Sequence, residues 1–282
     1  MAVARPDSGA ELRAWQRDTA PVVCGDRVSV CLAHSEHDRS GLPNVVELGP
    51  GGFGNGRHPS TRLVIEMLAD SFGSGERNPM SGARVLDVGC GSGILGLVAL
   101  ALGAGEVTAV DQKPEAVAAT RRNAAINGWA DRLQATVVPA RRAEPTGADA
   151  GQADPEPTGA VEPTKADSEP SGADAGQAEP EPTKADSEPS GADLGLAGPG
   201  PAADPLQAQG GFDLVLANIA RAGVAALADC LVRSVGPAGR LIVSGITPAQ
   251  CSQAEAHLAP LTVVECRSEG DWAALVLARN HD

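Results

Sequence analysis

Glycines at alternate positions, Gly89, Gly91 and Gly93, follow an apolar run that begins at Val85 and reaches Asp87, in the stretch VLDVGCGSG. Glycine accepts sharp left-handed turns and leaves backbone amides bare, so such a turn can lie directly against a nucleotide-type ligand. A helix starting straight after it adds the partial positive charge of its N-terminus. Asp111 ends a second apolar run, EVTAVD, where a carboxylate can accept both hydroxyl hydrogen bonds of a ribose. Its competing role is to cap the helix that starts at Pro114. Asn218 ends a third run, FDLVLAN. Its amide can hold donor or substrate at the strand end, or cap the next helix.

The glycine spacing alone does not choose the nucleotide, because Gly91, Gly93 and Gly96 also satisfy G-x-G-x-x-G, the dinucleotide fingerprint. Asp87 argues against that reading. A carboxylate just before the turn repels a pyrophosphate but suits the ammonium or sulfonium side of S-adenosylmethionine. Two further features point the same way: a terminal pair of strands with no room for a crossover between them, and a second glycine cluster upstream. That cluster, GGFGNGRHPSTRLVIEML from Gly51 to Leu68, runs straight into a helical pattern, with Pro59 suited to the first helical position. His58 is a candidate general base, although its place before Pro59 favours a structural hydrogen bond. Cys31, His34 and His37, with Cys24 upstream, fit no zinc spacing, and no metal is expected.

These residues need a scaffold, and the apolar patterning supplies one. After Ser81, short strand-like runs alternate with helical ones: ARVLDVG, GILGLVALALGA, EVTAVD, KPEAVAATRRNAAINGW and LQATVVP, then FDLVLANI, AGVAALADCLVRSVG and GRLIVSGI. Such alternation predicts an α/β fold with a doubly wound, mostly parallel sheet. LTVVECRSE and DWAALVLAR are separated by too few residues for a crossover and should close the chain as an antiparallel hairpin.

Residues 144–208 interrupt this pattern. From Glu144 to Asp204 there is no Ile, Phe, Met, Trp or Cys, and EPTKADSEPSGAD occurs twice, at Glu162–Asp174 and Glu181–Asp193. Too little can be buried there to offset ordering entropy, so a disordered acidic insertion is expected. It holds 14 acids and two lysines, a charge of −12, which leaves −2 of the total −14 for everything else. A nearly neutral remainder lacks the basic face of a nucleic-acid binder, so no direct DNA binding is expected. The organisation expected is a short N-terminal segment, residues 1–50, followed by one domain from residue 51 to residue 282 around the insertion. Six cysteines without a C-x-x-C pair, and an N-terminus without an apolar signal segment, suggest a cytoplasmic protein. No apolar run reaches the roughly 20 residues that span a bilayer.

In chain order, FGNGRHPSTRLVIEML, VLDVGCGSGILGL, VDQKPEAVAATRRNAAING, DLVLANI and DWAALVLAR resemble the PrmA-type ribosomal protein methyltransferases. The resemblance covers Gly51 to Ala278 apart from the insertion. It implies the seven-stranded, Rossmann-like class I methyltransferase sheet, S-adenosylmethionine as cofactor, and a ribosomal protein as acceptor. It places the family's F-G-T-G-x-H-P-T-T signature on Phe53 to Thr61, as a wall of the donor site. Phe53, Gly54, Thr61, Asp87, Gly89, Gly91, Gly93, Asp111 and Asn218 are thereby the implied cofactor-binding residues, with Asn218 and His58 the candidates nearest the chemistry. Asn55 stands where the signature has threonine, and Arg57, at its variable position, brings a long cation toward the reaction mouth. Only about 50 residues precede the signature, too few for the family's N-terminal recognition domain.

The sequence therefore points to N-methylation of a lysine or α-amine on a protein. Two alternatives stay open: a peptide or small-metabolite acceptor, and a cofactor-binding interaction protein without catalysis.

Overall fold

The computed structural model describes residues 20–139 and 211–280, apart from residues 26, 34, 36, 50–55 and 73–78. The acidic insertion expected at residues 144–208 lies outside the described residues, as do Phe53 and Gly54.

The N-terminal segment contributes a three-stranded sheet of β1 (Val22–Cys24), β2 (Val28–Leu32) and β3 (Val45–Leu48). β1 pairs antiparallel with β2, and β2 pairs parallel with β3. Cys24, Val28, Val30, Val46 and Leu48 are buried in the same apolar cluster as the first two helices. These strands have three to five residues each, too short for alternation to announce them.

Helix α1 (Pro59–Phe72) opens the next part. Pro59 sits where a helix needs no amide donor, and the His58 carbonyl accepts from the amides of Thr61 and Arg62. There follow β4 (Arg84–Val88), α2 (Ile94–Ala101), β5 (Glu106–Asp111), α3 (Pro114–Ile126) and β6 (Leu133–Val137). After the insertion come β7 (Phe212–Asn218), α4 (Arg221–Ser234), β8 (Val235–Ile246), α5 (Cys251–His257), β9 (Leu261–Glu269) and β10 (Trp272–Arg279).

The second sheet has seven strands in the order β6-β5-β4-β7-β8-β10-β9. The first five pair in parallel, while β10 pairs antiparallel with both β8 and β9. The terminal hairpin is thus present, and it folds back so that β9 becomes the edge.

Side chains alternate across this sheet as a two-residue period requires. Val85, Leu214, Leu216, Ile242, Ala274 and Val276 face the cluster that holds α1, α2 and α3. Leu86, Val88, Val215, Ala217, Leu241, Val243 and Leu275 face the cluster under α4 and α5. Both faces are covered, which is why the strands read as near-continuous apolar runs. Strand order reverses beside β4, where the chain returns from β6 to β7, and open α/β sheets bind ligands beyond the carboxyl ends of strands at such a point.

Candidate functional site

The turn between β4 and α2 lies at this reversal. Gly89, Gly91 and Gly93 have φ of 72°, 57° and 80°, the left-handed region that side chains disfavour. Space is equally restrictive. A Cβ on Gly89 would stand 2.6 Å from Cγ2 of Ile219, and one on Gly93 would stand 2.7 Å from Cγ2 of Thr120. The turn is pinned to the end of β5, because the amides of Gly89 and Cys90 donate to the Val110 carbonyl at 2.8 and 3.1 Å.

Asp111 completes that attachment. Its Oδ2 accepts from the Gly91 amide at 3.0 Å and its Oδ1 from the Lys113 amide at 2.9 Å. The residue capping α3 is Lys113, with no side-chain cap bond, so Asp111 does not serve as the cap. A carboxylate offers about four lone-pair positions, and backbone amides occupy two of these. The remainder, on a partly exposed side chain beside the turn, fit the paired hydroxyls of a ribose.

Asp87 departs from the expectation that its carboxylate would sit near the ligand. It is 1% exposed, on the strand face covered by α2, and its Oδ2 accepts from the Gly96 amide at 3.1 Å. Burial, opposed by the Gly96 hydrogen bond and assisted by the charge of Asp111, pushes its carboxyl up to about 7. Asp87 therefore supports the turn from behind. The cause is the pleat: Val85 and Asp87 share the face that α2 covers, while Leu86 and Val88 take the other.

The other wall forms where β7 meets α1. Asn218 Nδ2 donates to Thr61 Oγ1 at 3.1 Å, joining two candidate residues 157 positions apart. Helix α4 is capped at Ala220, so Asn218 is not its cap. Ile219, the next residue, lies against Gly89 and so brings the strand end to the turn. Thr61 is 5% exposed, and a buried hydroxyl with a fixed partner orients the amide opposite it. Among the described residues, Asn218 Oδ1 accepts no hydrogen bond and stays available as an acceptor.

His58 takes the structural role. Its Nδ1 lies 2.8 Å from Ser60 Oγ and accepts from the Ser60 amide at 3.3 Å, closing the first turn of α1. Its ring packs edge-on against Trp272, with centroids 4.7 Å apart. Ser244 Oγ lies 3.1 Å from the Ser60 carbonyl and 3.0 Å from that of Ala273, tying the helix start to β8 and β10. Arg57 is exposed, and its Nη2 donates to the Ala20 carbonyl at 2.7 Å. Burial pushes the Cys90 thiol up to about 12, so the cysteine inside the turn is no nucleophile at neutral pH.

Helix α3 contributes polar residues that motif reading passes over. Thr120 Oγ1 lies 3.2 Å from the Gly91 carbonyl, and Asn123 Nδ2 donates to the Ser92 carbonyl at 2.8 Å. Both are buried, and their spacing of three on one helix face was the signal available in the sequence.

A left-handed glycine turn, a carboxylate with free lone pairs beside it and a neutral amide-hydroxyl pair at the adjacent strand end can hold a nucleoside-bearing donor. The ribosomal protein L11 methyltransferase (PrmA) family model matches residues 10–152 and 201–280. Over 115 residues, 40% of this chain, there is 44% identity to a ribosomal protein L11 methyltransferase of Prochlorococcus marinus. A protein of the same description from Vibrio parahaemolyticus is 40% identical over 123 residues, 43% of the chain. The chain spans 36% and 39% of the length of these two curated relatives. A crystal structure of a ribosomal protein L11 methylase from Lactobacillus delbrueckii subsp. bulgaricus aligns with a TM-score of 0.61. That alignment covers 93% of this chain and all of the other, at 22% identity, and concerns the fold.

Proposed function

The chain belongs to the ribosomal protein L11 methyltransferase (PrmA) family, and from that premise we propose that it transfers a methyl group from S-adenosylmethionine to a lysine or α-amine of a ribosomal protein. The observation that carries this reading is the meeting of Asn218 and Thr61 beside a glycine turn that Asp111 holds in place.

S-adenosylmethionine supplies a methyl group on a sulfonium, a strongly activated leaving group, so the chain's task is to position donor and acceptor and exclude water. Such positioning supplies roughly 7–11 kcal/mol. Gly89 to Gly93 provide bare backbone for the donor, and the free lone pairs of Asp111 take its ribose. An acceptor amine, with an ordinary pKa of roughly 8–10.4, gives a proton to solvent water before it attacks, and breaking of the sulfur–methyl bond leaves S-adenosylhomocysteine. Asn218 Oδ1 accepts a hydrogen bond from that amine and orients its lone pair. Thr61 Oγ1 fixes the Asn218 amide and leaves its Oδ1 as the unbonded acceptor among the described residues.

No carboxylate hydrogen-bonds to the Asn218 or Thr61 side chain among the described residues, which supports selection by shape and hydrogen bonding. As to surroundings, no helix among the described residues is long and apolar enough to cross a membrane. A ribosomal protein acceptor supports a cytoplasmic reaction.

Incubation of the purified protein with methyl-labelled donor and ribosomal proteins tests the proposal. Label in a ribosomal protein band, incorporated about tenfold more slowly by Asn218→Ala, is the expected result. Label confined to a small-molecule fraction, or absent from every band, overturns it.

A further inference from the structure

Between Gly49, just after β3, and Gly56, just before α1, the chain passes through residues 50–55, which carry the first part of the glycine-rich signature. Both ends of that passage are fixed to elements bordering the glycine turn. At Gly56 a Cβ would stand 3.1 Å from Cδ1 of Ile94, the first residue of α2. At the other end the fixing is polar. Asn123 Oδ1 accepts from the Gly49 amide at 2.8 Å, while its Nδ2 donates to the Ser92 carbonyl inside the turn.

One side chain, 2% exposed, thus bonds the glycine turn and the residue that follows β3 at once. Asn127, the residue that caps the C-terminus of α3, repeats the arrangement on β3. Its Oδ1 accepts from the Glu47 amide at 2.8 Å, and its Nδ2 donates to the Glu47 carbonyl at 2.7 Å and lies 2.7 Å from the Asn123 carbonyl. The two asparagines lie four residues apart, Asn123 in the last turn of α3 and Asn127 at its C-cap, so both side chains reach the same strand end.

An apolar contact would let β3 slide along the helix. Paired donors and acceptors meeting backbone groups admit one register. The small N-terminal sheet is thereby joined to the turn through a single helix face.

We propose that Asn123 and Asn127 are positioning residues that set the spacing between the glycine turn and the segment entering the signature, and through that spacing set donor affinity. The proposal rests on the reading of this site as a donor site for S-adenosylmethionine. Neither residue touches the donor. Asn123 bonds both the turn and the strand end, whereas Asn127 bonds only the strand, so the two differ in size of effect and agree in kind.

Calorimetric titration with S-adenosylmethionine and S-adenosylhomocysteine tests it, using the full chain, Asn123→Ala, Asn127→Ala and, as a stability control, Leu231→Ala. Leu231, on α4, is buried against the opposite face of the sheet. Both asparagine variants should weaken each nucleoside, by tenfold or more at Asn123 and about threefold to tenfold at Asn127. Leu231→Ala should bind within twofold of the unaltered chain despite an equal or larger fall in melting temperature. In methyl transfer to ribosomal protein L11, the donor KM of Asn127→Ala should rise while kcat stays within twofold.

Unchanged affinity in Asn127→Ala overturns the proposal, even if Asn123→Ala fails to fold. An equal loss in Leu231→Ala, which would make affinity a mere reflection of stability, overturns it as well. Absence of binding by the unaltered chain would overturn the donor-site reading itself, and this proposal with it.

Discussion

The glycine turn and the start of α1 border one site and are held by different chemistry. Around the turn, carboxylates face backbone amides: Asp111 grips Gly91, and Asp87 grips Gly96 from within the core. At the start of α1 the site-side hydrogen bonds join amide, hydroxyl and backbone groups, with Asn218 on Thr61 and Ser244 near the Ser60 carbonyl, while the ion pairs of Arg62 with Glu66 and Glu269 lie further along the helix. The difference matches two tasks. A cationic, nucleoside-bearing donor is recognised by charge and fixed dipoles. An amine that must be neutral when it attacks gains nothing from a carboxylate beside it, because a neighbouring negative charge would hold its proton on.

The largest effect expected from this contrast is on stability. The Asp87 carboxyl at about 7 lies above its ordinary 3.8, so the folded protein keeps the proton through a range in which the unfolded chain has lost it. Stability from this group is fully present below pH 3.8 and is lost as pH rises to about 7. Asp87→Asn keeps an acceptor for the Gly96 amide without the charge. Between about pH 4 and pH 8 the unaltered protein should lose on the order of 4 kcal/mol relative to this variant. Urea midpoints report that slope; parallel curves for the two proteins would erase the electrostatic half of the comparison.

Next in size is Asp111→Ala, which removes a charged acceptor worth roughly 1.5–3 kcal/mol. It should weaken donor binding by about 10- to 100-fold. A variant binding as tightly as the parent would show that Asp111 only shapes the turn.

The smallest effects belong to the neutral wall. Asn218→Ala should lower kcat about tenfold, or about 1.4 kcal/mol, while donor affinity changes less than about twofold. His58→Ala should cost about 1 kcal/mol of stability as a lost helix cap, with a smaller fall in kcat than Asn218→Ala. Reversal of that order in steady-state kinetics would make His58, rather than Asn218, the group nearest the chemistry.

The sequence carried much of this site because its chemistry is concentrated at strand ends. Gly89 to Gly93, Asp111 and Asn218 each close an apolar run, and parallel strands ending at one edge bring such residues together. Asp87 was misplaced because its position along β4 is legible while the side it faces depends on which helix covers that face. Counting by twos from Val85 would have placed it under α2. The β1–β3 sheet escaped notice because its strands are short and its β2–β3 pairing skips a connecting stretch. Asn123 and Asn127 escaped for another reason: polar residues on a helix are ordinarily read as its solvated face, and only the arrival of β3 gives this face a partner.

The measurement that tests the central claim most directly is calorimetric titration of the folded, unaltered protein with S-adenosylmethionine, S-adenosylhomocysteine and NAD at concentrations up to millimolar. One-to-one binding of both adenosyl sulfur compounds, with no heat from NAD, is the predicted result. A folded protein that ignores both, or that prefers NAD, would contradict the account.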